Sequence, residues 1–146
     1  MKTYSPKSTD VVRKWYVLDA SQAPLGRVAT LAAGLLLGKG KPMFAHHIDC
    51  GDFVVIINAA ELKVTADKLS QKTYYRHSGY PSNLKSKTLE EAMKIDPTGP
   101  VIKAVRGMLP VNKLRDGRLA RLKVYADGEH QHSAQKPETL TIKGSK

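Results

Sequence analysis

The chain contains one cysteine, Cys50, so no disulfide can form within it, and a lone thiol suits a reducing compartment such as the cytosol. Long apolar runs are missing as well. The longest apolar stretch, Val28 to Leu37, is interrupted by Thr30 and Gly34 and is too short to span a bilayer. The first fourteen residues are polar and charged, without the apolar segment of a signal peptide. No membrane partner is expected. Acids are scarce: thirteen Asp and Glu face 24 Lys and Arg, for a net charge of +11 and a pI near 9.8. A compact domain with so much charge of one sign repels itself until a polyanion neutralises it, and nucleic acid is the first candidate.

Catalytic signatures are equally scarce. There is no HExxH, no GxSxG and no paired-carboxylate constellation, and nothing marks Cys50 as an activated nucleophile. His46 and His47 are adjacent, and neighbours in an extended chain point to opposite faces, so they do not readily share a metal ion. No second ligand pair stands at a standard spacing. Gly38-Lys39-Gly40-Lys41 has two glycines and two lysines, yet a phosphate loop needs four residues between its glycines and then opens a helix. Here the glycines close one, and the end of a helix is the wrong pole for an anion. The expectation is a protein that is not an enzyme, with no cofactor, no metal and no small-molecule substrate. Lys39 and Lys41 remain candidates for contact with an RNA backbone.

What the sequence does contain centres on Gly51 to Ala59. Phe53 to Ile57 is the longest unbroken run of β-branched and aromatic residues, bounded by Gly51-Asp52 and Asn58. A strand apolar on both faces must be covered on both, which marks it as the buried centre of an α/β layer structure, with Phe53 part of that core. Upstream, Trp15 to Ala20 reads as a strand and Pro24 opens a helix. Leu25, Val28, Ala29, Ala32, Leu35 and Leu36 recur at helical spacing along it, and Gly38 ends it. Strand, helix and strand make a βαβ unit, so the two strands should be parallel. At 146 residues one domain is expected: residues 1–14 as a basic arm and residues 15–146 as the α/β body.

Downstream, Glu61 to Thr65 and Lys72 to His77 read as two short strands joined through Ala66-Asp67-Lys68. The second leads into Tyr74-Tyr75-Arg76-His77-Ser78-Gly79-Tyr80-Pro81. Three tyrosines, an arginine and a histidine in seven residues suit RNA, whose bases stack on aromatic and guanidinium planes. Alternation implies that one of Tyr74 and Tyr75 packs inward instead. Ser82 to Lys87 reads as a basic loop. Thr88 caps a helix over Leu89–Ile95, with Glu90 and Glu91 in its first turn. Pro100 starts another, with Val101, Ala104, Val105 and Met108 on one side and Lys103 and Arg106 on the other. A shorter basic segment follows, Lys113 to Arg121 with Arg115 and Arg118, and then a strand, Leu122 to Tyr125, that carries Lys123. A loop with His130, His132 and Lys136 comes next, and an apolar patch at Leu140 to Ile142 follows Pro137.

Charge is uneven along the chain. Residues 1–50 hold seven bases and three acids, residues 51–100 seven and six, and residues 101–146 ten and four. Lys103 to Lys123 alone holds seven bases against Asp116. This distribution places the electrostatic footprint mainly in the C-terminal third.

Several of these segments together resemble one family. Lys103-Ala-Val-Arg-Gly-Met-Leu-Pro110, Asn112-Lys-Leu and Leu122-Lys-Val-Tyr-Ala126 are similar to the signature of the large-ribosomal-subunit protein family called L-thirteen. Trp15 to Ala20 with Leu25-Gly26-Arg27, Gly51 to Asn58, Tyr74 to Pro81 and Glu129 to Pro137 agree in the same order. The resemblance implies a single three-layer α/β/α domain around a central, mostly parallel four-stranded sheet. It implies a structural role in the large subunit, bound to large-subunit (23S) ribosomal RNA beside neighbouring ribosomal proteins and joining early in assembly. Arg106 to Pro110, the loop around Arg76 and His77 and the loop with His130 and His132 would then face RNA. The chain differs from the family pattern at Arg115-Asp116-Gly117, where glycine normally follows the leucine directly, and at Cys50, where threonine is common. A nucleotide-binding α/β enzyme and an RNA-binding regulator acting off the ribosome are the competing classes; nucleotide binding and sedimentation away from subunits would mark them.

Overall fold

The computed structural model describes residues 4–142. The first strand, β1 (Trp15–Asp19), ends where the Asp19 carboxylate accepts hydrogen bonds from the Ser21 amide at 2.9 Å and the Ser21 hydroxyl at 2.7 Å, which turns the chain. Helix α1 (Leu25–Leu37) follows Pro24 and buries Val28, Ala29, Ala32, Ala33, Leu36 and Leu37, while Leu25 and Leu35 of the expected stripe are half-buried at its edge. Gly38 ends it at φ +78°, and a Cβ there would stand 2.6 Å from the Cys50 carbonyl oxygen. Strand β2 (Phe53–Ile57) then runs parallel to β1, with Trp15 opposite Phe53 and Asp19 opposite Ile57.

After β2 come the short helix α2 (Lys68–Gln71), the strands β3 (Thr73–His77) and β4 (Leu84–Thr88), and the helices α3 (Leu89–Ile95), α4 (Thr98–Met108) and α5 (Arg115–Ala120). Strands β5 (Leu122–Val124) and β6 (Glu138–Leu140) complete the described chain. The main sheet has the order β5-β2-β1-β6, and all three pairings are parallel. This is the expected α/β domain with a four-stranded parallel sheet. No helix among the described residues is long and apolar enough to cross a membrane.

Strand alternation divides the core. Leu18, Val54, Ile56 and Leu122 point to the face covered by α1 and α4 and join Ala32, Leu36, Val101 and Val105 in one cluster. Val17 and Val55 are buried on the opposite face. There Trp15 stacks on Phe53 with ring centroids 4.3 Å apart, and the His132 ring lies 4.9 Å from Trp15. The stretch after β5 thus folds back over the second face, where its regular element is one 3-10 turn, Ser133–Gln135. Val54, Val55 and Ile56 are fully buried, but Phe53 and Ile57 are half-buried at the strand ends. The deep core is therefore three residues long, and Phe53 belongs to its rim.

Two expectations need correction. Glu61 to Thr65 is not a strand: Ala59–Glu61 is a 3-10 turn, and Lys63 makes only an isolated bridge to Pro24. The partner of β3 is instead β4, within the stretch read as a basic loop, and the two pair antiparallel as a separate two-stranded sheet. The apolar patch after Pro137 contributes Leu140 to β6, the edge strand beside β1.

Candidate nucleic-acid interface

The β3–β4 hairpin sorts the tyrosine segment by parity. Tyr74 lies opposite Lys87 and Arg76 opposite Lys85, and these four side chains line a groove of about 530 Å³ between the hairpin and α3–α4. Ala92, Ile95 and Pro100 provide apolar surface in that groove, and Lys103 of α4 stands at its other wall. Tyr75 and His77 fall on the alternate side of the hairpin with Leu84, and all three are exposed, as is Tyr80 in the connecting loop. That loop is shaped by Gly79 at φ +94° and Ser82 at φ +61°, and the Gly79 amide donates to His77 Nδ1 at 2.9 Å.

Tyr74 is the tyrosine that packs inward. Its ring carries the Lys103 ammonium 4.6 Å from its centroid and that of Lys72 at 5.6 Å, both within cation–π range. Its hydroxyl is buried without a hydrogen-bond partner, and burial pushes the phenol pKa up. Beyond Lys103 lies a second groove of about 410 Å³, with Lys63, Lys68 and Lys72 in its lining. The two grooves meet at Lys103 and together present seven cationic side chains against one acid, Asp96.

Lys63, Lys68, Lys72, Lys85 and Lys87 were not among the residues expected to bind. The charge count hid them, because residues 51–100 hold almost as many acids as bases. In the structure four of those six acids are engaged, while Glu61 and Asp67 are exposed. Asp52 pairs with Lys41 at 2.6 Å and Glu90 with Lys94 at 2.7 Å. Glu91 closes the Thr88 capping box, and Asp96 accepts from the Thr98 amide and hydroxyl. Hydrogen bonds from Thr98 hold the Asp96 carboxyl below its ordinary pKa, against slight burial. The one signal in the sequence was the spacing of Lys85 and Lys87, which puts both on one side of a strand.

The expected C-terminal footprint divides differently. Arg118 and Arg121 are buried, at 1% and 8% exposure, and are turned to Asp49 rather than to solvent. Arg121 grips Asp49 bidentately, with Nη2 to Oδ1 at 2.6 Å, and Arg118 Nε lies 3.5 Å from the same carboxylate. Arg13 approaches it from the N-terminal segment at 3.7 Å. Burial raises the Asp49 pKa, but the hydrogen bonds and charge of Arg121 outweigh it, so the carboxyl sits below the usual range. Helix polarity explains the inward turn. The C-terminal carbonyls of α1 are a negative pole, and Arg121 donates to the Leu36 carbonyl at 3.4 Å.

Lys41 is drawn in the same way. Its ammonium donates to the Val12 carbonyl at 2.7 Å, the Cys50 carbonyl at 2.9 Å and Asp52. Arg118, Arg121 and Lys41 therefore make their contacts within the fold. Arg115 is half-buried and donates to the Arg106 carbonyl at 2.9 Å. His132 meets the Tyr125 hydroxyl at 3.1 Å, and its amide donates to His130 Nδ1. Lys39, Lys103, Arg106, Lys113, Lys123 and Lys136 are exposed. Among the described residues, no group of three or more His, Cys, Asp and Glu could hold a metal.

Comparison with known proteins agrees across nearly the whole chain. A family model described as ribosomal protein L13 matches residues 13–131. A relative from Kocuria rhizophila, named large ribosomal subunit protein uL13, is 54% identical over 138 residues, covering 94% of each chain. Proteins of the same name from Corynebacterium diphtheriae and Maridesulfovibrio salexigens are each 50% identical, over 98% and 96% of this chain and 97% and 99% of their own.

Proposed function

Because the chain belongs to the ribosomal protein L13 family, we propose that it is a structural, non-enzymatic constituent of the large ribosomal subunit. It binds large-subunit (23S) rRNA in the cytoplasm, touches neighbouring large-subunit proteins and joins early in subunit assembly. The observation that carries the RNA contact is the pair of adjoining grooves around Lys103, with seven outward cations and one acid whose carboxylate is already hydrogen-bonded. Cations held at the surface while the grooves' single acid is hydrogen-bonded to Thr98 give a positive field that a phosphate backbone neutralises. Arg106 and Lys113 extend the same character along and beyond α4.

The test is a salt-titrated binding assay against large-subunit rRNA fragments with bulk tRNA as competitor. One fragment should bind tightly, survive competition and show a salt slope equivalent to several released counterions. Weak and equal binding to every RNA would reduce the charge to a generic polyanion surface. Order of entry is read from reconstitution: leaving this protein out should block later additions, and late addition without loss would remove the early role.

A further inference from the structure

We propose that Tyr74 is a positioning residue that holds Lys72 and Lys103 as a phosphate clamp, joining the two grooves into one track for an unpaired RNA strand. The inference rests on the RNA-binding reading above and goes further in naming the form of RNA and the residue that organises its seat. Lys103 belongs to α4 and Lys72 to the turn between α2 and β3, so nothing in the backbone ties the two ammonium groups together. The Tyr74 ring does, with their nitrogens 4.6 and 5.6 Å from its centroid. Two like charges gathered on one ring repel, and a phosphate between them relieves that repulsion.

The ring does this work without its hydroxyl, which has no hydrogen-bond partner. Tyr74 is also half-buried under two cations, so it is not the surface on which a base stacks. The groove beside it offers that surface instead, through Ala92, Ile95 and Pro100 between cationic walls. Apolar surface inside a cationic rim fits one unstacked nucleotide, with its base inward and its phosphate at the rim. A duplex keeps its bases paired and stacked and presents sugars, phosphates and base edges but no free base face, leaving that surface unused.

The test uses the full chain, a labelled 12-nucleotide poly-uridine strand and an RNA duplex of the same length. Wild type should prefer the unpaired strand, with a salt slope that falls by about 0.7 for each phosphate contact removed. Tyr74→Leu removes no charge, yet it should weaken binding roughly three- to tenfold by freeing the two lysines. Tyr74→Phe, which keeps the ring, should restore that affinity. Lys72→Gln with Lys103→Gln, both exposed positions that leave the core intact, should lower the slope by about 1.4 with an unchanged melting temperature. Ile95→Ser should reduce the preference for the unpaired strand.

If wild type binds but Tyr74→Leu matches it, or duplex and strand bind equally, the clamp is overturned and the RNA-binding reading stands. A wild-type chain that binds neither probe nor any rRNA fragment overturns both.

Discussion

Two basic regions of this molecule use their charge in opposite ways. Between Lys113 and Arg121, the two most deeply placed arginines turn inward and close around Asp49, while Arg115 serves a backbone carbonyl. Around the β3–β4 hairpin, the lysines face out, and Glu90, Glu91 and Asp96 are the groups that are tied down. The first region reads as the more basic in a count of residues, and the second is the more basic surface. Net charge along a sequence measures what must be neutralised. Where the field emerges depends on which partners the fold has already supplied.

The largest expected effect comes from breaking the inward set. Asp49→Ala leaves Arg118 and Arg121 buried without a counter-ion and should cost about 3 kcal/mol, the low end for a broken buried pair, since the Asp49 side chain keeps 18% exposure. Chemical denaturation reads this directly. An unchanged midpoint would mean that the arginines are not held by this carboxylate. The same group gives a pH dependence of definite sign. Its folded pKa is lowered, so its contribution is complete above the unfolded value near 3.9 and is lost as pH falls through the folded value. Asp49→Asn should therefore show a flatter stability profile between about pH 5 and pH 2 than the wild type.

Next in size is the outward set. Replacing Lys85 and Lys87 together by Gln should lower the salt slope of RNA binding by about 1.4 to 1.8 while leaving thermal unfolding unchanged. A melting temperature that drops with binding would place these lysines in the fold and erase the contrast between the regions. Thr88→Ala removes the cap that joins the hairpin to α3, with a loss of about 1 kcal/mol. The smallest change belongs to Lys113→Gln. As one exposed base in the inward-turned region, it should alter the salt slope by no more than about 0.9, and a larger drop would restore that region as a main contact surface.

The strands β1, β2 and β5, the helix α1 and the Thr88 cap are legible from periodicity and punctuation, because each presents an apolar face to one core or carries a named end signal. The hairpin is less so. Leu84-Lys85-Ser86-Lys87-Thr88 has one large apolar side chain, and it is exposed, so no hydrophobic alternation announces a strand. Its six-residue connection, residues 78–83, also lacks the two-residue Asn-Gly or Asp-Gly signature of a tight hairpin. Strand β6 is three residues long and reads only as an apolar patch. The inward arginines are the hardest to foresee. Asp49 lies 69 positions before Arg118 in the sequence, and only folding shows that one carboxylate serves both. The five added lysines of the grooves were present but masked in the count by six acids, four of which the fold engages elsewhere.

The position of β6 bears on how the chain is made. Its hydrogen-bonding partner, β1, ends at Asp19, and β6 begins at Glu138, so synthesis of the intervening residues separates the two by roughly 6 to 24 s. Once β2 has been made, β1 can pair with it on one side, while its other edge has no strand of its own chain to meet until β6 follows. An open edge is a template for strands of other chains. The excess of positive charge keeps identical nascent chains apart for as long as that edge waits.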